Sequence, residues 1–303
     1  MSPRPLPLLL LTLGACATAE SPPGADAGRD VAVQRDVPPD APTDVAPQQD
    51  LPPADDDVPV APTDGGAACR PNRDGVITRA EFPAAVGATA LYQVNDPGTT
   101  VDGVNTVGTV VDGVRRWDFS MRRSEDHPSL EEVLSPRGRW WSGQYPDATF
   151  ASVIDRSTNL LGVYRLTDTA LELLATVSTE ANRTNLRFNP AVAVLRFPLR
   201  EGDRWEQTVT GMGAVNFTPL VNTTVYRTVV DAAGEVWTPA ARFPVLRVNT
   251  TLDQSIPLTV FRVTRRTHAY VTECGGLVAR VASTDNDLGE AFTRASEYRR
   301  LGL

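Results

Sequence analysis

Few residues of this 303-residue chain carry types and spacings that could do chemistry. The two histidines, His127 and His268, are far apart, and each lacks a motif around it. His127 precedes Pro128 and reads as a loop residue, whereas His268 reads as a strand residue on a wet face. No Gly-x-Ser-x-Gly elbow, paired-histidine zinc motif or phosphate-cradling glycine loop occurs, so acyl-transfer, metallohydrolase and nucleotide chemistry have no local nucleus. A pair of carboxylates can still assemble from distant segments without a local signature, which keeps a surface hydrolase as an alternative. Trp140-Trp141, with Arg139 and Tyr145 beside them, could present rings to a carbohydrate or a lipid, although aromatic side chains more often fill a core. The chain reads as non-enzymatic. Its remaining reactive groups are three thiols, Cys16, Cys69 and Cys274.

Cys16 has the most informative surroundings. Arg4 leads into an apolar run, Leu8 to Leu13, and Leu13-Gly14-Ala15-Cys16 sets the thiol directly after small residues. The run is too short, and too close to Pro5 and Pro7, to span a bilayer needing about 20 apolar residues, so it reads as a processing segment. The pattern resembles the lipobox of bacterial lipoproteins. That resemblance implies cleavage before Cys16, thioether-linked diacylglycerol on its sulfur and an acyl group such as palmitate on its amino group. More than one chain matters physically, because a single acyl chain holds a protein to a membrane only marginally. Ala17 stands where an aspartate would signal inner-membrane retention, so the expected location is the cell envelope, anchored in the outer membrane. The rival is an ordinary secretory signal cut after Ala19, with Cys16 discarded.

With Cys16 consumed by lipid, Cys69 and Cys274 form an even pair in a disulfide-permissive compartment, and a bond between them is expected. Two buried free thiols are the alternative. Asn72-Arg73-Asp74-Gly75-Val76-Ile77-Thr78-Arg79-Ala80-Glu81 partly resembles an EF-hand calcium loop spanning 70–81, with Gly75 at the sharp turn and Glu81 at the bidentate position. The resemblance implies calcium ligands at Asn72, Asp74, Val76, Thr78 and Glu81. Arg70 falls at the first position, where an arginine supplies no oxygen, and a plain glycine turn is the competing reading.

These residues sit in a chain of three parts: a signal peptide at 1–15, a tether at 16–68 and a domain at 69–303. The tether is built from Asp, Pro, Ala and Val without an aromatic residue, and carries eleven acids against two arginines. Such a composition predicts disorder. Its length predicts a reach between roughly 40 Å as a coil and roughly 160 Å as extended polyproline. Nearly all the chain's net charge of −8 resides there. The domain is neutral, with arginine as its sole basic side chain, so composition gives no electrostatic case for nucleic acid.

In the domain, short runs rich in Val, Thr, Tyr, Phe and Trp recur between turn residues, which predicts an all-β antiparallel fold after the linker. Expected strands include Thr89 to Val94, Thr149 to Asp155, Leu171 to Ser178, Thr223 to Val230, Thr259 to Val271 and Leu277 to Ser283. Hairpin turns are expected at 167–170 and 231–234. From Thr259 to Val271 the faces separate by period two, with Phe261, Val263 and Ala269 dry and Arg262, Thr264, Arg266, His268 and Tyr270 wet. Ser129 to Leu134 could form a short helix, Ser129 and Glu132 making a capping box. A strongly curved sheet, a half-barrel or a β-sandwich all fit. The phrases 197–205 and 237–243, with Tyr270-Val271 and Gly275-Gly276-Leu277-Val278, look like strands and turns of curved-sheet bacterial envelope proteins. Some members of that broad group hold lipids or lipoproteins in a sheet cavity. The expected role is therefore a lipid-anchored envelope protein of binding or structural function, with a carrier using such a cavity as the alternative within that class.

Overall fold

The computed structural model describes residues 69–155, 159–256, 260–287 and 289–303. The expected signal peptide, lipidated Cys16 and tether lie outside the described residues. The domain is all-β. A long meander forms most of one curved sheet: β6 (Phe150–Asp155), β7 (Leu160–Leu166), β8 (Ala170–Ser178), β9 (Asn185–Arg196), β11 (Arg204–Val215), β12 (Thr218–Trp237), β13 (Arg242–Ser255), β14 (Arg262–Thr272), β15 (Gly276–Ser283) and β16 (Ala295–Leu301). The start of the domain then joins its end, because β2 (Thr89–Asn95) pairs with β16 and β5 (Asp126–Glu132) pairs with β2. The sheet's two ends meet after β5, where Leu134 and Ala151 exchange backbone hydrogen bonds of 2.7 and 2.9 Å. The result is a nearly closed antiparallel barrel, not a sandwich of two sheets. Closure satisfies backbone groups that an open edge would leave unpaired.

Three local expectations give way to longer-range pairing. The segment at 129–134 is not helical: β5 lies along β2 from Asn95↔Asp126 to Thr89↔Glu132. One capped turn of helix is marginal alone, and the ladder to β2 outweighs the local cap. Pro128, which has no N–H to give, is tolerated because β5 ends the sheet order. The Asp231-Ala232-Ala233-Gly234 segment is not a turn either, but lies inside the 20-residue β12 at a bulge between Val230 and Ala232. Asp231 instead accepts hydrogen bonds across the sheet from Arg247 at 2.7 and 3.0 Å and from Asn249 at 2.9 Å. Gly234 answers to close approach, since β4 (Val114–Asp118) runs parallel against the end of β12 and a Cβ on Gly234 would overlap the Arg115 carbonyl. The turn after β12 falls instead at 238–241, where the Thr238 N–H donates to the Ala241 carbonyl at 2.9 Å, and the turn before it is the two-residue Asn216-Phe217, both with positive φ (47° and 63°). The expected turn at 167–170 is present, with the Thr167 N–H donating to the Ala170 carbonyl.

The wet face assigned to β14 is the third correction. His268 and Tyr270 are 1% and 0% exposed, because a second layer from residues 101–119 and 292–295 covers that side of the sheet. Trp117 and Phe119 pack edge-on against Tyr270 at 5.1 and 5.3 Å, and Phe292 lies 5.1 Å from the His268 ring. Arg300, fully buried, fastens this layer: it donates to both Asp126 oxygens at 2.8 and 2.6 Å and to the Phe119 and Met121 carbonyls.

The opposite, inner face of the sheet encloses the barrel, and one end is plugged. The lead segment forms a two-residue strand, β1 (Val76–Ile77), which pairs with β10 (Leu199–Arg200). Ile77 and Phe82 then pack with Phe197, Leu199, Trp205 and Val271 in one apolar cluster. A disulfide joins Cys69 to Cys274 across 205 residues, the Cys274 N–H donates to the Glu81 carbonyl at 2.7 Å, and the Arg73 N–H donates to Glu273 at 2.8 Å. The plug is thus pinned to the turn between β14 and β15.

Candidate ligand-binding cavity

Above the plug lies a cavity of about 750 Å³. This falls inside the roughly 300–1,000 Å³ range of small-molecule sites. Period-two alternation builds part of its wall, with Val248 and Leu252 of β13 and Ala269 and Val271 of β14 lining it, whereas β9, whose pairing with β8 is irregular, lines it with the consecutive residues 192–195. Most of the wall is apolar, and several of its hydroxyls are engaged. Thr228 and Thr250 meet at 3.0 Å, and the Tyr92 hydroxyl donates to the Leu277 carbonyl at 2.7 Å. Burial pushes the Tyr92 hydroxyl up to about 12, with Glu131 adding to the rise and Arg299 opposing it. Residues 82–90 of the lead segment run past the cavity and complete the lining beside Gly275-Gly276-Leu277.

One part of the wall is charged. Arg280 of β15 and Arg299 of β16 stand directly opposite each other in register and both line the cavity. Like charges so placed repel, and two acids offset them. Arg299 donates to Glu131 at 2.7 Å and lies 3.1 Å from Glu297, whose other oxygen is 3.4 Å from Arg280. Burial favours the neutral form of Arg299, but Glu297 and Glu131 outweigh it and hold the guanidinium firmly charged. Tyr164 sits near this cluster; burial raises its hydroxyl pKa, while Arg280 and Arg299 pull it down. A third inward arginine, Arg265, is held by Asp285.

None of the side chains named from the sequence as candidate ligands enters this cavity, apart from Cys274 of the disulfide. The 70–81 loop does not fit a calcium cage. Asp74 accepts from the Val76 N–H at 2.8 Å and from Asn72 at 3.2 Å. Glu81 accepts from both the Thr78 N–H and hydroxyl, at 2.9 and 2.8 Å, forming a capping box on a 3-10 turn. Val76 is paired in β1. Two carboxylates turned into local caps leave too little free charge to ligate calcium, and no cluster of three or more acidic, histidine or cysteine side chains with metal-holding geometry exists among the described residues. Trp141 is 1% exposed and packs with Tyr145 and Leu161. Trp140 donates to the Ser178 carbonyl at 3.0 Å. Both tryptophans lie in a turn and not a strand. His127 lies in β5, 3.2 Å from Asp96. Burial, then Arg247, holds the His268 pKa down to about 3.

Sequence reasoning missed the inward charges. Arg280 is the one charged residue in Gly276-Leu277-Val278-Ala279-Arg280-Val281-Ala282-Ser283, and a lone arginine in so apolar a strand was the available signal.

These features define a class: an all-β, nearly closed antiparallel barrel, plugged at one end, with an apolar cavity bearing a charged patch. No family model matches the sequence, and no curated protein matches it. Among solved structures, it is similar to a Bacteroides fragilis chain described as an exported protein with a YmcC-like fold, at 11% identity and a TM-score of 0.38, covering 75% of this chain and 97% of that one. It is also similar to a Parabacteroides distasonis chain described as a lipoprotein, at 10% identity and a TM-score of 0.35, covering 74% and 97%. Likeness at this level carries no argument about role, and the class rests on the strand order and the cavity themselves.

Proposed function

We propose that the protein is a non-enzymatic, lipid-anchored component of the bacterial cell envelope that holds an acyl-chain ligand inside its barrel. The observation that carries this reading is the cavity of about 750 Å³ with a mainly apolar wall. A hollow that size forfeits contacts and stability unless something occupies it. An acyl chain matches a wall of Val, Leu and Ala side chains and needs no directional partners along its length. A carbohydrate would need a hydrogen-bonding wall. Of the acids at or beside the cavity, Glu131 and Glu297 are engaged by Arg299 and Glu132 lies exposed at the end of β5, which favours binding over general acid–base work. The lipobox pattern at Cys16 supplies the anchor and the compartment, and the acidic tether holds the barrel away from headgroups.

Displacement of an uncharged fluorescent probe from the full chain tests the binding reading, and mass analysis of the mature N-terminus tests the anchor. The expected results are saturable displacement by long-chain lipids, weakening as the chain shortens, and a mature protein beginning at an acylated Cys16. A probe that never binds would remove the first claim; an unmodified N-terminus would remove the second.

A further inference from the structure

The charged patch narrows the ligand class. Three arginines line the cavity, and they differ in what they touch. Arg265 is hydrogen-bonded to Asp285, and Arg299 to Glu131. Arg280 makes a 3.4 Å ion pair with Glu297 and no hydrogen bond among the described residues. Its side chain is 14% exposed, and that exposure is on the cavity side, because no Arg280 nitrogen is among the fully buried unpartnered atoms. A guanidinium has five N–H donors in a planar fork, and a fork with one long protein contact leaves most of them free for a ligand. Glu297 is not part of the cavity surface, whereas Arg280 is. The unused donors therefore border the space a ligand would fill.

We propose that Arg280 receives the head of the ligand, and that the ligand is an acyl chain ending in one compact anionic group, a carboxylate or a phosphate. This rests on the acyl-binding reading above. Planar bidentate pairing is what distinguishes arginine from lysine in recognising such groups. Glu131 and Glu132 offer no equal site for a cationic head: Arg299 occupies the first, and the second lies exposed at the end of β5.

The test is competition against an uncharged fluorescent probe on the full chain, using a fatty acid, the alcohol of equal length, the alkyl phosphate and the alkyl amine. Wild-type protein should hold the acid and the phosphate at least tenfold more tightly than the alcohol. Arg280→Gln should bring the acid down to the alcohol's affinity and leave the alcohol within about twofold, since apolar contacts are untouched. Arg280→Lys should retain part of the preference. A thermal melt shows whether each variant is folded; should Arg280→Gln not fold, the wild-type ratio of acid to alcohol decides. Equal affinity for acid and alcohol in the wild type, preference for the amine, or an Arg280→Gln variant that still prefers the acid would overturn the assignment. Failure of every competitor and of the probe itself would instead remove the acyl-binding reading on which it stands.

Discussion

Filling the cavity from within separates an empty hollow from a packed core by the sign of a stability change. Ala269 lies in β14 opposite Val248 on one side and Arg280 on the other, with its side chain at the cavity wall. Ala269→Phe adds an aromatic ring. If the space is open, the ring buries apolar surface without displacing neighbours; full burial of such a side chain contributes about 1.5–3 kcal/mol. Loss of rotamer freedom and imperfect contacts reduce this to about 1 kcal/mol. For a domain of this size, that raises Tm by roughly 2–4 °C. A packed interior would respond oppositely, losing about 1–3 kcal/mol through overpacking. The ring also takes the place of about three ligand methylenes at roughly 0.8 kcal/mol each, weakening acyl binding by about fiftyfold. Calorimetric melting and probe displacement measure the two effects on the same variant. A Tm lowered by several degrees with unchanged ligand affinity would refute the reasoning.

Reduction of Cys69–Cys274, or a double change to serine, should lower stability by up to about 5 kcal/mol on the chain-entropy model and speed release of a bound acyl probe, because the plug loses its pin; identical melting and release rates with and without reductant would contradict this. Asp126→Asn should cost about 3–5 kcal/mol in denaturant melts, since it leaves the guanidinium of Arg300 buried without its counter-charge. Burial would raise the Asp126 pKa, but Arg300 and the Arg123 N–H outweigh it and hold it below 3.8. The stability this confers is present above the ordinary carboxylate range and lost as pH falls through the depressed value, so acid melts of the wild type should steepen below about pH 4. His268 has the converse chemistry with the same direction: buried neutral with a pKa near 3 against 6.5 when exposed, it opposes folding increasingly as pH falls below 6.5. Between pH 6.5 and 5 the wild type should lose up to about 2 kcal/mol that His268→Phe does not lose; parallel pH profiles would show that the ring is not the source.

Much of the barrel could be read from residue pattern, and the parts that could not share one physical reason. Strands such as Thr89–Asn95 and Gly276–Ser283 declare themselves because β-favouring residues and bounding turns agree locally. Ser129 to Glu132 and Asp231 to Gly234 carry local signals for a cap and a turn, but their partners are distant: β2 claims the first, Arg247 and β4 the second. Burial of Tyr270 depends on Trp117 and Phe119, about 150 residues earlier in the chain, and that of His268 on Phe292, beyond β15, so no window around β14 contains either. The cavity escapes for the same reason. Its wall is drawn from many strands and from residues 82–90, and the pairing of Arg280 with Arg299 exists only once β15 and β16 are in register. Cys16 is the opposite case: the proposal of lipid attachment rests on the few residues before it.

The acyl-binding claim is tested most directly by native mass spectrometry of the full-length protein extracted from its own membrane, followed by denaturation and analysis of what is released. The account gives one non-covalent acyl ligand per chain, lost from Ala269→Phe protein. Across repeated preparations, wild-type protein that carries no releasable lipid and takes none up when it is supplied would contradict it.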